Sequence, residues 1–135
     1  MVKILIVEDD PLMSRMYQKI FTFEGYTVEI AANGQEGLEK VRQVKPTLVL
    51  LDIMMPVMNG LVFLEKLKSD PDTKTIPVVM LTNLAGQQDA ERAIIKGAVK
   101  YIVKSEYEPK EVVNMVKEII AGYTREEVPQ SNIKN

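Results

Sequence analysis

Short apolar runs alternate along this chain with stretches in which apolar residues recur every three or four positions. Val2 to Val7 reads as a buried strand, Leu48 to Leu51 is too short for a typical helix and suits a strand buried on both faces, and Ile76 to Leu81 and Val99 to Val103 read as further strands. Thr27 to Ala31 alternates polar and apolar residues, as an edge strand does. Between the first two runs, Asp10-Pro11 offers an N-cap and a proline at the first helical position. Leu12, Met16, Ile20 and Phe23 then predict an apolar stripe that stops near Gly25. A second helix is expected from Asn33 to Val44, its start weakened by Gly34 and Gly37. A third runs from about Leu61 to Lys68 before the Asp70-Pro71-Asp72 turn, and a fourth from Gln87 to Lys96 with Gly97 as cap. The fifth, Glu108 to Ala121, carries Val112, Val116 and Ile119 on one face.

Strands alternating with helices imply right-handed βαβ units, hence an α/β fold with a doubly wound parallel sheet and helices on both faces. Ligands of such sheets bind beyond the carboxyl ends of the strands, where strand order reverses. The strand ends place Glu8, Asp9, Asp52, Thr82 and Lys104 along that rim. Asp52 is the most telling of them, because an ionisable side chain arrives where the buried run Leu48 to Leu51 stops. Pro56 and the Asn59-Gly60 turn then open a loop beside it.

Length and composition narrow the chemistry. A chain of 135 residues is expected to form one domain, residues 1–122, with 123–135 a polar tail or linker stub. A net charge of -2 without a basic cluster argues against binding nucleic acid, and the first apolar run is too short to enter a membrane. Cysteine is absent, which suits a reducing compartment, with the cytoplasm as the expectation. Histidine is absent too, so chemistry must rest on carboxylates, hydroxyls and lysines.

Two bare carboxylates ~4 Å apart repel by about 4 kcal/mol at an effective dielectric near 20, so a cation belongs among Glu8, Asp9 and Asp52. Magnesium fits best, since it takes oxygen ligands and is often held by one or two carboxylates plus a phosphate. Asp10 reads instead as a helix cap. A carboxylate can accept a phosphoryl group, and Asp52 is the candidate nucleophile, with magnesium, Thr82 and Lys104 meeting the outer phosphoryl oxygens.

Taken together, Val7-Glu8-Asp9-Asp10, Leu51 to Gly60, Leu81-Thr82 and Tyr101-Ile102-Val103-Lys104 resemble the response-regulator receiver domains of two-component signalling, over roughly residues 2 to 121. The resemblance is to stand-alone, chemotaxis-regulator-like members, and implies five parallel strands in the order 2-1-3-4-5, an order the known flavodoxin-like domains share. It implies that Asp52 accepts phosphate from a phosphohistidine on a sensor histidine kinase or histidine phosphotransfer protein. It further implies that Asp9 and Asp52 bind Mg2+ directly, Glu8 through water and Met54 by its carbonyl. Thr82 and Tyr101 would form the switch pair, acting on a downstream protein through the fourth helix, fifth strand and fifth helix. Such a domain assists its own phosphorylation and dephosphorylation without being an enzyme in the ordinary sense.

Two positions depart from that pattern. Ser105 stands where receivers usually have a cis proline, so a trans bond and a shifted loop are expected, because a non-proline cis bond costs about 2.5–4 kcal/mol. Asn83 replaces the usual small residue after the switch threonine. The missing proline alone supports an alternative, a pseudo-receiver that binds partners without phosphorylation. A phosphatase lacks its second Asp two residues after Asp52, and a nucleotide binder lacks a glycine-rich loop after the first strand.

Overall fold

In the computed structural model, which describes residues 2–84 and 86–125, five strands and five helices alternate. They are β1 (Lys3–Val7), α1 (Pro11–Phe23), β2 (Thr27–Ala31), α2 (Gly34–Val44), β3 (Leu48–Leu51), α3 (Gly60–Ser69), β4 (Val78–Thr82), α4 (Gln87–Ile95), β5 (Lys100–Val103) and α5 (Pro109–Arg125). The sheet is parallel throughout, in the order β2-β1-β3-β4-β5. This is the strand order of the flavodoxin-like receiver fold that the family resemblance implies.

Alternate residues of the three central strands feed two cores, because side chains along a strand point to opposite faces. Leu5, Val7, Val49, Leu51, Val78 and Met80 pack with Val41 of α2 and with Phe63, Leu64 and Leu67 of α3. Ile4, Ile6, Leu48, Leu50, Val79 and Leu81 pack with Tyr17 and Phe21 of α1 and with Val112, Val113 and Val116 of α5. The continuous apolar runs of β1, β3 and β4 follow from this double burial.

Asp10 caps α1, its carboxylate accepting from the Leu12 and Met13 amides at 3.0 and 3.5 Å. Half of the expected apolar stripe on this helix holds, since Met16 and Ile20 are partly buried and pack against the α1–α5 core. Leu12 and Phe23 are exposed, and the buried face runs through Ser14, Tyr17 and Phe21. Leu12 and Phe23 lie across the helix from that face, since 3.6 residues per turn carry the ridge at four-residue spacing, Leu12, Met16 and Ile20, from the solvent side toward the buried one.

The glycines that weaken α2 have a packing reason. A Cβ on Gly37 would come within 2.9 Å of the Phe63 ring and 3.2 Å of Val7, and one on Gly34 would meet Met58. Asn33 offsets their cost by accepting from the Glu36 amide at 2.9 Å, while Glu36 accepts from the Ala32 amide at 2.8 Å. At the other end of the chain, α5 runs to Arg125, so residues 123–125 of the expected tail belong to the helix. Residues 126–135 of that tail lie outside the described residues.

Candidate functional site

Strand register builds the site. Val7 pairs with Leu51, so Glu8 and Asp52 leave neighbouring strands at the same height, and the Asp52 amide donates to the Val7 carbonyl at 3.1 Å. Thr82 pairs with Val103, which sets Lys104 one residue beyond β5 at the same rim. Ligand oxygens of Glu8, Asp9 and Asp52 all lie within 4.8 Å of one another. Asp9 is exposed, whereas Glu8 and Asp52 are buried.

Among the described residues, one ammonium serves this cluster. Lys104 Nζ lies 2.5 Å from Glu8 Oε1 and 3.7 Å from Asp52 Oδ2, with all three side chains less than one-tenth exposed. The other Glu8 oxygen accepts from the Asp10 amide at 3.1 Å. Burial raises the Glu8 pKa above 4.5 against the bond to Lys104, and the Asp52 charge adds to the rise. Three converging carboxylates and a single lysine leave negative charge in excess, and the donors are all hard oxygens. That donor set fits Mg2+ and is poor for softer metals.

A tight loop holds Asp52 in place. The Met54 amide points at Asp52 Oδ1 from 3.4 Å, a long contact, and the Met58 amide donates to the Pro56 carbonyl at 2.7 Å. That second bond closes a three-residue turn on Val57, whose φ of 70° is unfavourable for a β-branched residue and costs about 1–3 kcal/mol. Gly60 opens α3 with its amide on the Ile53 carbonyl at 2.8 Å, while Asn59 caps the helix through the Val62 amide at 3.0 Å.

Thr82 is fully buried, and its Oγ1 accepts from the Leu84 amide at 3.3 Å. Tyr101 is a half-buried strand residue whose hydroxyl does not simply face water. It instead donates to the Leu84 carbonyl at 2.6 Å. Both residues of the expected switch pair therefore hold the same residue. Lys104 and Ser105 start a single 3-10 turn, and no peptide bond among the described residues is cis, so the Lys104–Ser105 bond is trans. Asn83 is exposed beside Thr82.

Sequence reasoning missed the direct Glu8–Lys104 pair, because a strand-end lysine and an acidic residue 96 positions apart meet only through the sheet order. It also missed Tyr17, which lies beneath the acids. The signal was the Ser14, Tyr17, Phe21 spacing, one ridge over from the stripe that apolarity favoured. Larger clefts of about 560 and 480 Å3 lie away from this rim, between the end of α2 and the α3–β4 connection. Arg42 lines both and is paired to Asp70 at 2.8 Å.

A family model for the response regulator receiver domain matches residues 4–117. The DNA-binding response regulator MtrA of Mycolicibacterium smegmatis is 36% identical over 115 residues, which are 85% of this chain and 49% of that protein. The DNA-binding dual master transcriptional regulator RpaA of Synechocystis sp. is 34% identical over 131 residues, 97% of this chain and 53% of that protein. The chain thus spans about half the length of these curated relatives. Among solved structures, a CheY-like response regulator receiver domain protein from Methanospirillum hungatei superposes with a TM-score of 0.86 at 33% identity, covering 93% of this chain and 98% of that one.

Proposed function

Because this chain belongs to the response-regulator receiver domains, we propose that it is a phosphorylation-dependent signalling switch with Asp52 as the phosphoacceptor. The family consists of signalling phosphoacceptor domains rather than classical enzymes, and its members work with histidine kinases or phosphotransfer proteins. The observation that carries the reading is the convergence of Glu8, Asp9 and Asp52 at the carboxyl rim, with the buried Lys104 reaching Glu8 and Asp52.

In the proposed step an Asp52 oxygen attacks the phosphorus of a partner's phosphohistidine. A P–O bond forms, the P–N bond breaks, and the departing imidazole takes up a proton. Asp9, Asp52 and the Met54 carbonyl would hold Mg2+, with Glu8 reaching it through water. Bound there, the ion supplies charge neutralisation for the phosphoryl oxygens. Lys104 is close enough to Asp52 to move from one carboxylate oxygen to a phosphoryl oxygen without crossing the site.

Leu84 gives the switch a physical form. Its amide is held by Thr82 and its carbonyl by Tyr101. If the Thr82 hydroxyl turns to the phosphoryl group, Leu84 loses one anchor and the Tyr101 bond weakens with it, releasing the ring to move inward. Tyr101 lies on β5, while Ile94 and Ile95 of α4 and Val99 ahead of β5 are 47%, 84% and 39% exposed. The α4–β5–α5 face is the proposed contact for a downstream protein. No described helix is long and apolar enough to cross a membrane, and the proposed setting is the cytoplasm. A pseudo-receiver role has only Ser105 in its favour.

The test is intact mass after incubation with a small phosphodonor, with Mg2+ and with chelator in its place. The expected result is one added phosphoryl group that depends on Mg2+ and is removed by hydroxylamine, which cleaves acyl phosphates. No gain with any donor, or a hydroxylamine-stable gain, sinks the reading.

A further inference from the structure

Tyr17 is a buried polar group that the proposed chemistry leaves without a task. Its side chain is 3% exposed and sits in the α1 core face beside Phe21. Phenylalanine would fill that space at no polar cost, whereas burying a hydroxyl without a partner costs about 1–3 kcal/mol. The hydroxyl has no hydrogen-bond partner among the described residues, yet no fully enclosed polar side-chain atom there is unsatisfied. Its oxygen must therefore open onto a space.

That space is visible. A cavity of about 10 Å3 is lined by Tyr17 together with Ser14, Glu8 and Asp52, and walled by Met13, Leu50 and Leu81. Long helical side chains lean toward the N-terminus of their helix, and α1 begins at the carboxyl rim, so Tyr17 reaches up toward the acids. Burial first and the Glu8 charge second raise the Tyr17 pKa above 10.0, which puts the phenol within electrostatic reach of that carboxylate. A cavity of roughly 10–15 Å3 by this measure holds one water, provided that two to four polar groups face it. Each Glu8 oxygen accepts one bond from Lys104 or Asp10 and keeps a free lone pair. The Ser14 hydroxyl donates to the Pro11 carbonyl at 3.3 Å and can still accept.

We propose that Tyr17 is a positioning residue for the acidic cradle: its hydroxyl and the Glu8 carboxylate share one ordered water, which fixes Glu8 in the orientation that favours Mg2+. This rests on the reading of the rim as a Mg2+-dependent phosphoacceptor site. Removing the hydroxyl leaves the packing in place, since phenylalanine has the same ring, and takes away one restraint on Glu8 beside Lys104 and the Asp10 amide.

Calorimetric titration of wild type and Tyr17→Phe with Mg2+ alone tests it. The expected result is a Kd for the variant weaker by about three- to tenfold, the range for one hydrogen bond, with an unchanged or higher urea midpoint. In parallel, the 13Cζ resonance of Tyr17 in wild type is expected to shift when Mg2+ is added, a readout that needs no variant to fold. Equal affinity in the two proteins, or a Tyr17 resonance that ignores Mg2+, overturns the inference while leaving Asp52 chemistry intact. A wild type that binds no Mg2+ overturns both readings.

Discussion

Lys104→Met is expected to destabilise the protein by about 3–5 kcal/mol at pH 7, because it removes the cation from a buried pair and leaves the carboxylates facing one another. Glu8 and Asp52 are 6% and 7% exposed, so water cannot replace the ammonium. The pH dependence has a definite sign. Lys104 lowers the Glu8 pKa against burial, so without it that pKa climbs further above 4.5. A carboxyl whose pKa is higher folded than unfolded adds stability below the unfolded value and loses it as pH rises through the folded value. The gap between variant and wild type should therefore widen from about pH 4.5 upward, and narrow when Mg2+ takes over the neutralisation. Urea unfolding across that range, with and without Mg2+, checks this. A gap that stays flat with pH would mean that Lys104 acts through packing alone.

The second large effect is expected at Gly60, where the backbone of α3 meets that of the phosphoacceptor. A Cβ there would sit 2.1 Å from the Asp52 carbonyl oxygen, 2.8 Å from Ile53 Cα and 2.9 Å from the Asp52 carbonyl carbon. All three are backbone atoms, so no side chain can swing aside. Gly60→Ala is expected to cost about 3 kcal/mol, the upper range for overpacking, and to slow phosphorylation because α3 can retreat only by pulling on Asp52. Gly122→Ala on α5 is the control. A Cβ there meets nothing within 4 Å, and alanine should add about 0.5–1 kcal/mol of helix stability. Unfolding and phosphorylation rates of both variants check the pair, and a Gly60→Ala protein that matches Gly122→Ala in both would refute the close-approach argument.

How much of this was legible without coordinates varies with the physics behind each element. The buried runs of β1, β3 and β4 were plain, because burial on both faces leaves no polar residue to confuse the period. Asp10 could be read as a cap because Pro11 follows it directly. The α1 face was legible in part: Met16 and Ile20 pack against the core, but Leu12 and Phe23 are apolar yet exposed, while Ser14 is buried, so hydrophobicity alone missed the ridge through Ser14, Tyr17 and Phe21. The rim residues were legible in kind, since strand ends in an α/β sheet fall together. Their bonding was not. That Lys104 grips Glu8, and that Thr82 and Tyr101 both hold Leu84, depends on register and on rotamers that no spacing reports. The reason for Gly60 was equally hidden, because its φ is ordinary and only the distance to Asp52 requires glycine.

Asp52 as the acceptor of a phosphoryl group is the claim on which the remaining chemistry depends, and intact mass of wild type beside Asp52→Asn, each incubated with the same phosphodonor and Mg2+, tests it most directly. Asparagine keeps the shape of the side chain but is a poor nucleophile toward phosphorus. The account predicts one phosphoryl group on the wild type and none on the variant. An equal gain on both proteins would contradict it.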